Sequence, residues 1–251
     1  MAEPMLQVEN VSKRFGGLLA VDRASFTAEA GRITALIGPN GAGKTTLFSI
    51  ITGFQTPTEG RIRYDGAEIT GEPPHKLARR GIARTFQIVQ PFAGLTVREN
   101  IAVGAHLHRS RRVDALDAAT EVGKAVDLGG LLDKPASELT VAGRKRLELA
   151  RALAIEPRLL LLDEVLAGLN PSEIRDMVPV IRAIAGRGTT IVMIEHVMQA
   201  VMSLAEHVYV LSEGRIIAEG TPQAIAGDPH VVEAYLGRGA ASRMTGGLAH
   251  V

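Results

Sequence analysis

The amino-acid sequence predicts an α/β chain built on a mostly parallel core sheet. Three observations carry that expectation. Two apolar runs of β type, PRLLLLDEV and GTTIVMIEH, stand in the second half with a helical segment between them. A third run, Ile33–Ile37, leads through a Gly-rich turn into a helix that stops at Gly53, in RITALIGPNGAGKTTLFSIITG. Strands that alternate with helices are joined by crossovers, and crossovers make neighbouring strands parallel.

The remaining elements follow in order. The chain opens with short β-rich stretches, MLQVENVSKRF, ASFTAEAG and RIRYDGAEI, separated by Gly and charged turns, and these are expected to form an N-terminal β part. From about Pro91 to Leu153 the pattern is helical and more polar, and Thr96 and Glu99 in TVREN have capping-box spacing. The stretch LTVAGRKRLELARAL (139–153) ends as an amphipathic helix but opens on Thr, small residues and three cations. That opening suits either an ordinary surface helix or a helix N-terminus facing phosphate. Asn170, Pro171 and Glu173 supply N-cap, N1 and N3 of a later helix, and Gly220-Thr221-Pro222 opens another. A single domain over 5–236 is expected, with a helical part at about 91–153 inserted into the core. The Gly- and Ala-rich tail, 237–251, is expected to fray.

Composition bounds the function. A chain of 251 residues, 46% hydrophobic and 22% charged, has the balance of a soluble globular protein. Its net charge of +1 gives no general reason to bind nucleic acid, and the basic run HLHRSRR (106–112) reads as a solvated loop. Without cysteine there are no disulfides or thiolate metal sites, which fits a reducing compartment. The N-terminus, MAEPMLQVEN, carries acid and Pro where a secretory signal needs a basic start and an apolar run. No stretch reaches the ~18 apolar residues of a membrane span. Action at a membrane would need another polypeptide to provide the spanning part.

The chemistry concentrates in two motifs. Gly38-Pro39-Asn40-Gly41-Ala42-Gly43-Lys44-Thr45 has the spacing of a phosphate loop between strand and helix. Its N–H groups and the helix dipole suit anionic phosphates. Lys44 would bridge the β- and γ-phosphates of a nucleotide and Thr45 would hold Mg²⁺, with Thr46 completing the cradle. The four leucines before Asp163-Glu164 form a strand whose tip delivers two adjacent carboxylates pointing opposite ways. Asp163 then suits the Mg²⁺ shell, and Glu164 suits a general base that polarises the attacking water. His196 ends the next run, within reach of a γ-phosphate.

Taken together, Phe15 in SKRFGG, the 38–46 loop, Gln87 in GIARTFQ, the 139–143 stretch, LLLLDE and His196 resemble the ATP-binding cassette family of transport ATPases over residues 5 to 236. The resemblance implies a P-loop NTPase fold with an N-terminal antiparallel β subdomain and an inserted helical subdomain. It implies ATP and Mg²⁺ as cofactors, Phe15 stacked on adenine, and Gln87 touching the Mg²⁺ and water site while relaying nucleotide state to membrane subunits. GIARTFQ, PFAGLTVRENIAVGAH, DEVLAGLNPSE, IVMIEHVM and GTPQAIAGDPHVVEAYLG look more narrowly like the ATPase subunits of branched-chain amino acid importers. That subfamily implies two membrane permease subunits, a second ATPase subunit, a solute-binding protein as an indirect partner, and a peripheral place on the cytoplasmic face of the inner membrane. It leaves the solute open. A lipopolysaccharide-exporter ATPase is a more distant look-alike. A ribosome- or DNA-acting cassette protein would be expected to carry a second cassette or a long coiled-coil insertion. A small-molecule P-loop kinase would not need Gln87 or His196.

The chain departs from the family at three places. The family signature L-S-G-G-Q falls without gaps on Leu139, Thr140, Val141, Ala142 and Gly143. A one-residue gap would instead put Gly143 on the second Gly and Arg144 on the Gln. The ungapped reading keeps LELARAL in helical register and is adopted, with Thr140 to Gly143 facing the ATP of a partner subunit. An Ala at 142 matters only if the backbone there needs φ > 0 or very close approach. Arg144, Lys145 and Arg146 would add positive charge near that phosphate. The other departures are Val165, where Pro usually follows the glutamate, and Asn170, where an inter-subunit loop usually has Asp.

Overall fold

The computed structural model describes residues 4–87 and 90–236. The tail at 237–251 lies outside the described residues. The chain runs β1 (Leu6–Phe15), β2 (Leu18–Ala28), β3 (Ile33–Ile37), α1 (Lys44–Ile51), β4 (Glu59–Tyr64), β5 (Ala67–Glu68), α2 (Pro74–Arg79) and β6 (Ile82–Arg84). It continues with α3 (Val97–Ala105), α4 (Arg112–Ala125), α5 (Val141–Leu153), β7 (Leu159–Asp163), α6 (Pro171–Gly186) and β8 (Thr190–Ile194). It closes with α7 (Met198–Leu204), β9 (His207–Ser212), β10 (Arg215–Gly220), α8 (Pro222–Ala226) and α9 (Pro229–Leu236).

Strands buried on both faces read as unbroken apolar runs, and this chain shows why. Along β3, β7, β8 and β9, odd and even residues enter two different cores. Ile33, Ile37, Leu160, Leu162, Ile191 and Val210 pack with the helices α3 to α6. Leu36, Leu159, Leu161, Val192 and Leu211 pack with α1 and the first sheet. The central sheet has the order β10-β9-β3-β8-β7-β6 and is parallel except at the edge, where β10 runs against β9. The N-terminal stretches form a separate antiparallel sheet, β2-β1-β4-β5. Tyr209 of β9 touches both layers, its hydroxyl 3.3 Å from Thr27 Oγ1 and its ring against Phe26.

Most of the local signals hold. Thr96 and Glu99 form a capping box at the start of α3, and Asn170 with Glu173 forms another at α6. Thr221 caps α8. The basic run is an exposed loop whose arginines meet acids, Arg109 with Glu156 and Arg112 with Glu99. Other features differ from the sequence reading. The strand expected over 24–31 begins at Leu18, because it pairs along the full length of β1. RIRYDGAEI is a hairpin rather than one strand, since Asp65 and Gly66 both take positive φ. The helix α2 and the strand β6, which extends the sheet beside β7, have too few residues to show a period. Among the described residues no helix is long and apolar enough to cross a membrane.

Candidate active site

The phosphate loop connects β3 to α1, and two of its glycines are fixed by neighbouring strands. A Cβ on Gly38 would sit 1.9 Å from the Leu211 carbonyl oxygen of β9, and one on Gly43 would sit 2.4 Å from that of Ala20 in β2. Gly43 is also the N-cap of α1, at φ +104°, with no side chain to occupy the first N–H groups of the helix. Those groups are therefore left for an anion. Lys44 is 5% exposed and folds back over the loop, donating to the carbonyls of Gly38 (2.8 Å) and Pro39 (2.9 Å). Burial holds its pKa below the usual lysine value, against the pull of Glu164 and Asp163.

A cleft of about 550 Å³ opens over this loop, lined by Phe15, Asn40 to Thr46, Glu164, Glu213 and Gly214. Phe15 stands at its rim, 44% exposed, with Lys13 Nζ 5.1 Å from the ring centroid. Such an open aromatic is free to stack on a base. Glu213 and Gly214, in the turn between β9 and β10, are site residues with no motif to announce them. Gly214 N–H donates to the Ala42 carbonyl and so braces the loop.

The two carboxylates do point to different neighbours. Asp163, 1% exposed, ends β7 and accepts from Arg84 Nη2 at 2.7 Å through Oδ2. Its N–H donates to Thr85 Oγ1. Arg84 also donates to Ser49 Oγ on α1, and its guanidinium lies over the rings of Phe48 and Phe86. Asp163 Oδ1 is buried with no partner. Thr45 and Asp163 line one further cleft of about 660 Å³, beside Gln87. Oxygen donors and one orphaned carboxylate oxygen fit Mg²⁺, which binds few protein groups and keeps water or phosphate oxygens.

Glu164 lies one residue past β7, at φ +52°. Its Oε2 accepts from Gln87 Nε2 and its Oε1 meets His196 Nε2, both at 2.7 Å. With the carboxylate accepting, the ring carries its proton on Nε2. Gln87, Glu164 and His196, scattered in sequence, thus meet at the mouth of the phosphate cleft. Lys145 joins them from behind, donating to the main-chain oxygen of Glu164. Beneath them Glu195 is buried and accepts from Leu166 N–H, while its Oε2 has no partner. Burial pushes its carboxyl up to about 7, opposed by the N–H groups of Leu166 and His196.

The start of α5 is built differently. Thr140 is the N-cap, its hydroxyl accepting from Gly143 N–H at 3.1 Å. Thr140 and Val141 are exposed, Ala142 is half-buried, and Gly143 is packed under Leu139. Ala142 has no positive φ, so its methyl strains nothing. None of the four lines the phosphate cleft of its own chain among the described residues. The three cations following them do not form one positive patch. Arg144 turns to the Leu139 carbonyl, Arg146 faces Asp127, and Lys145 is inside. The expected charge at the helix start is thus kept by Arg144 alone, because successive helix residues point about 100° apart around the axis. Asn170 is exposed at the start of α6, its side chain spent on capping.

Comparison with known proteins identifies the family. The family model described as ABC transporter matches residues 21–167, more than half of the chain. The chain belongs to the ABC transporter ATPase family. It is therefore an ATP-binding cassette that hydrolyses ATP. A second model, branched-chain amino acid ATP-binding cassette transporter, matches residues 215–241. Curated relatives include the high-affinity branched-chain amino acid transport ATP-binding proteins BraF of Pseudomonas aeruginosa and LivG of Escherichia coli. BraF is 41% identical and LivG 39%, with alignments covering 94% of this chain and 99% of each relative. Among solved structures, an ATP-binding cassette of an ABC transporter in its ADP conformation superposes with a TM-score of 0.86 at 33% identity, covering 94% of this cassette and all of that chain. A nucleotide-free cassette gives 0.85, covering 92% and 98%.

Arg84 and Thr85 were visible in the quoted ARTFQ stretch, but only Gln87 was singled out of it. The sequence puts Lys145 among three cations expected to add charge near a phosphate, and Glu195 carries no signal except its place before His196.

Proposed function

We propose that this cassette is the ATPase subunit of an importer for branched-chain amino acids or related small solutes. It would act peripherally on the cytoplasmic face of the membrane and drive two separate permease subunits. The observation that carries the hydrolytic part is the Glu164 carboxylate, held between Gln87 and His196 at the mouth of the phosphate cleft. The solute class rests on the names of the relatives and on the match at 215–241.

In this reading Phe15 stacks on adenine, the loop from Gly38 to Thr46 cradles the phosphates, and Lys44 leaves its two carbonyls for phosphate oxygens. Thr45, Asp163 and Gln87 would hold Mg²⁺, which supplies charge neutralisation for the transferred phosphoryl group. Glu164 accepts the proton of the attacking water. Each of its oxygens has a second lone pair free for that task while Gln87 and His196 keep the carboxylate aimed. A second ATPase subunit, identical or not, would bring its own ATP to Thr140–Gly143, and Asn170 would stand at that interface. The cleft beside Gln87, with Phe86 and Arg151 on its walls, is where a permease could sense the nucleotide state. A solute-binding protein would act on the permeases, not on this chain.

The test is Glu164→Gln. Binding of MgATP should stay within about threefold while turnover falls by about 100-fold or more, the scale of losing a positioned general base. Turnover near wild type would remove Glu164 from the hydrolytic role. Uptake of labelled leucine by vesicles holding the cassette with its permeases checks the solute class.

A further inference from the structure

Lys145 is the middle of three consecutive cations, yet it is 8% exposed while Arg144 lies at the surface. Its ammonium does not seek a carboxylate. It donates to two main-chain oxygens, Glu164 O at 2.9 Å and Gln87 O at 3.4 Å. Burying a lysine head is costly unless its donors are used, so the partners it finds matter. Here they are the backbones of two residues whose side chains also bond each other.

Glu164 is held in the left-handed region, at φ +52°, which disfavours any residue with a Cβ and persists only where surroundings impose it. Its N–H donates to Ile194 O of β8. Its carbonyl receives the Lys145 ammonium and, across a tight turn, Ala167 N–H. The first two bonds clamp the peptide groups on either side of the Glu164 Cα, and the Cα geometry decides where the carboxylate points. Lys145 belongs to α5, the helix that opens on Thr140.

We propose that Lys145 is a positioning residue for hydrolysis. It fixes the left-handed backbone of Glu164 and ties it to Gln87, so that α5 aims the hydrolytic carboxylate of its own chain. A shift of α5, such as a second subunit binding at Thr140 would produce, reaches the Glu164 backbone directly through this side chain, while Glu148 of the same helix holds the neighbouring Phe86 N–H. The inference rests on Glu164 being the general base.

The test uses the full-length chain with Lys145→Met, which keeps bulk and removes the donors, and Lys145→Arg, which keeps a cation. For Lys145→Met the expected result is a kcat loss of about 10- to 100-fold, the scale of a misaimed group, with KM for ATP and affinity for a Mg²⁺-bound non-hydrolysable ATP analogue within about threefold. Lys145→Arg should recover most of kcat. A crystal structure of Lys145→Met should show Glu164 leaving positive φ and its carboxylate leaving Gln87 or His196. An unchanged Glu164 in that structure overturns the proposal, as does a Lys145→Arg variant no better than Lys145→Met. If Lys145→Met does not fold, Lys145→Leu gives the same two readouts. Wild-type protein that fails to hydrolyse ATP would sink the function itself, whereas wild-type turnover with an unaffected Lys145→Met sinks only this inference.

Discussion

Two helix N-termini in this chain were assigned to phosphate, and they are built on opposite plans. At α1 the N-cap is Gly43, which has no side chain, and the neighbouring strands β2 and β9 leave no room for one at Gly43 or Gly38. The first N–H groups stay open and a buried lysine waits beside them. At α5 the N-cap is Thr140, whose hydroxyl already satisfies Gly143 N–H, and of the three cations that follow only Arg144 is fully exposed beside it. The first end has open N–H groups and a cation from its own chain. The second has a hydroxyl and the N–H groups of Val141 and Ala142 on an exposed edge. The difference teaches that a helix dipole alone does not make a phosphate site; what caps the end and what charge stands beside it decide.

That contrast can be broken at either end. Lys44→Ala should have the largest effect: loss of a charge-assisted pair of donors is worth about 2–3 kcal/mol, or roughly 30- to 150-fold in ATP affinity by calorimetry. Unchanged affinity would mean the open N-terminus suffices without its cation. Next, Gly43→Ala forces a methyl against the Ala20 carbonyl at a positive φ, and should cost about 2–3 kcal/mol of stability in denaturant melts as well as nucleotide binding. Thr140→Ala removes only a cap, about 1 kcal/mol of stability, and should leave the affinity of the isolated chain for ATP unchanged. A drop in that affinity would place Thr140 in its own chain's nucleotide site. Smallest of all, Ala142→Gly restores the family's residue at a position with no need of positive φ, so it should lose about 0.5–1 kcal/mol through helix propensity alone. A gain in stability would show that the methyl of Ala142 is strained after all.

The phosphate loop and both capping boxes were legible because each is a local code, with its partners three to five residues apart. The acidic strand end was legible because a fully apolar run has to stop where its chemistry starts. Long-range pairing was not. Arg84 meets Asp163 across 79 positions and Lys145 meets Gln87 across 58. No spacing rule links such partners, and a cation in sequence does not say whether it faces water. Helical geometry told Lys145 from its neighbours only once α5 was packed against β7. The turn at Glu213–Gly214 was missed for the same reason, since it enters the cleft through the order of strands and not through a motif.

The pair formed by Arg84 and Asp163 bears on how the chain lives between turnovers. A buried carboxylate with nothing to balance it costs several kcal/mol, a large share of the stability of a small domain. Arg84 is covalently part of the chain, so Asp163 is balanced without any ligand. Folding is thereby uncoupled from cargo. The β7 tip needs no bound ATP to balance its buried charge.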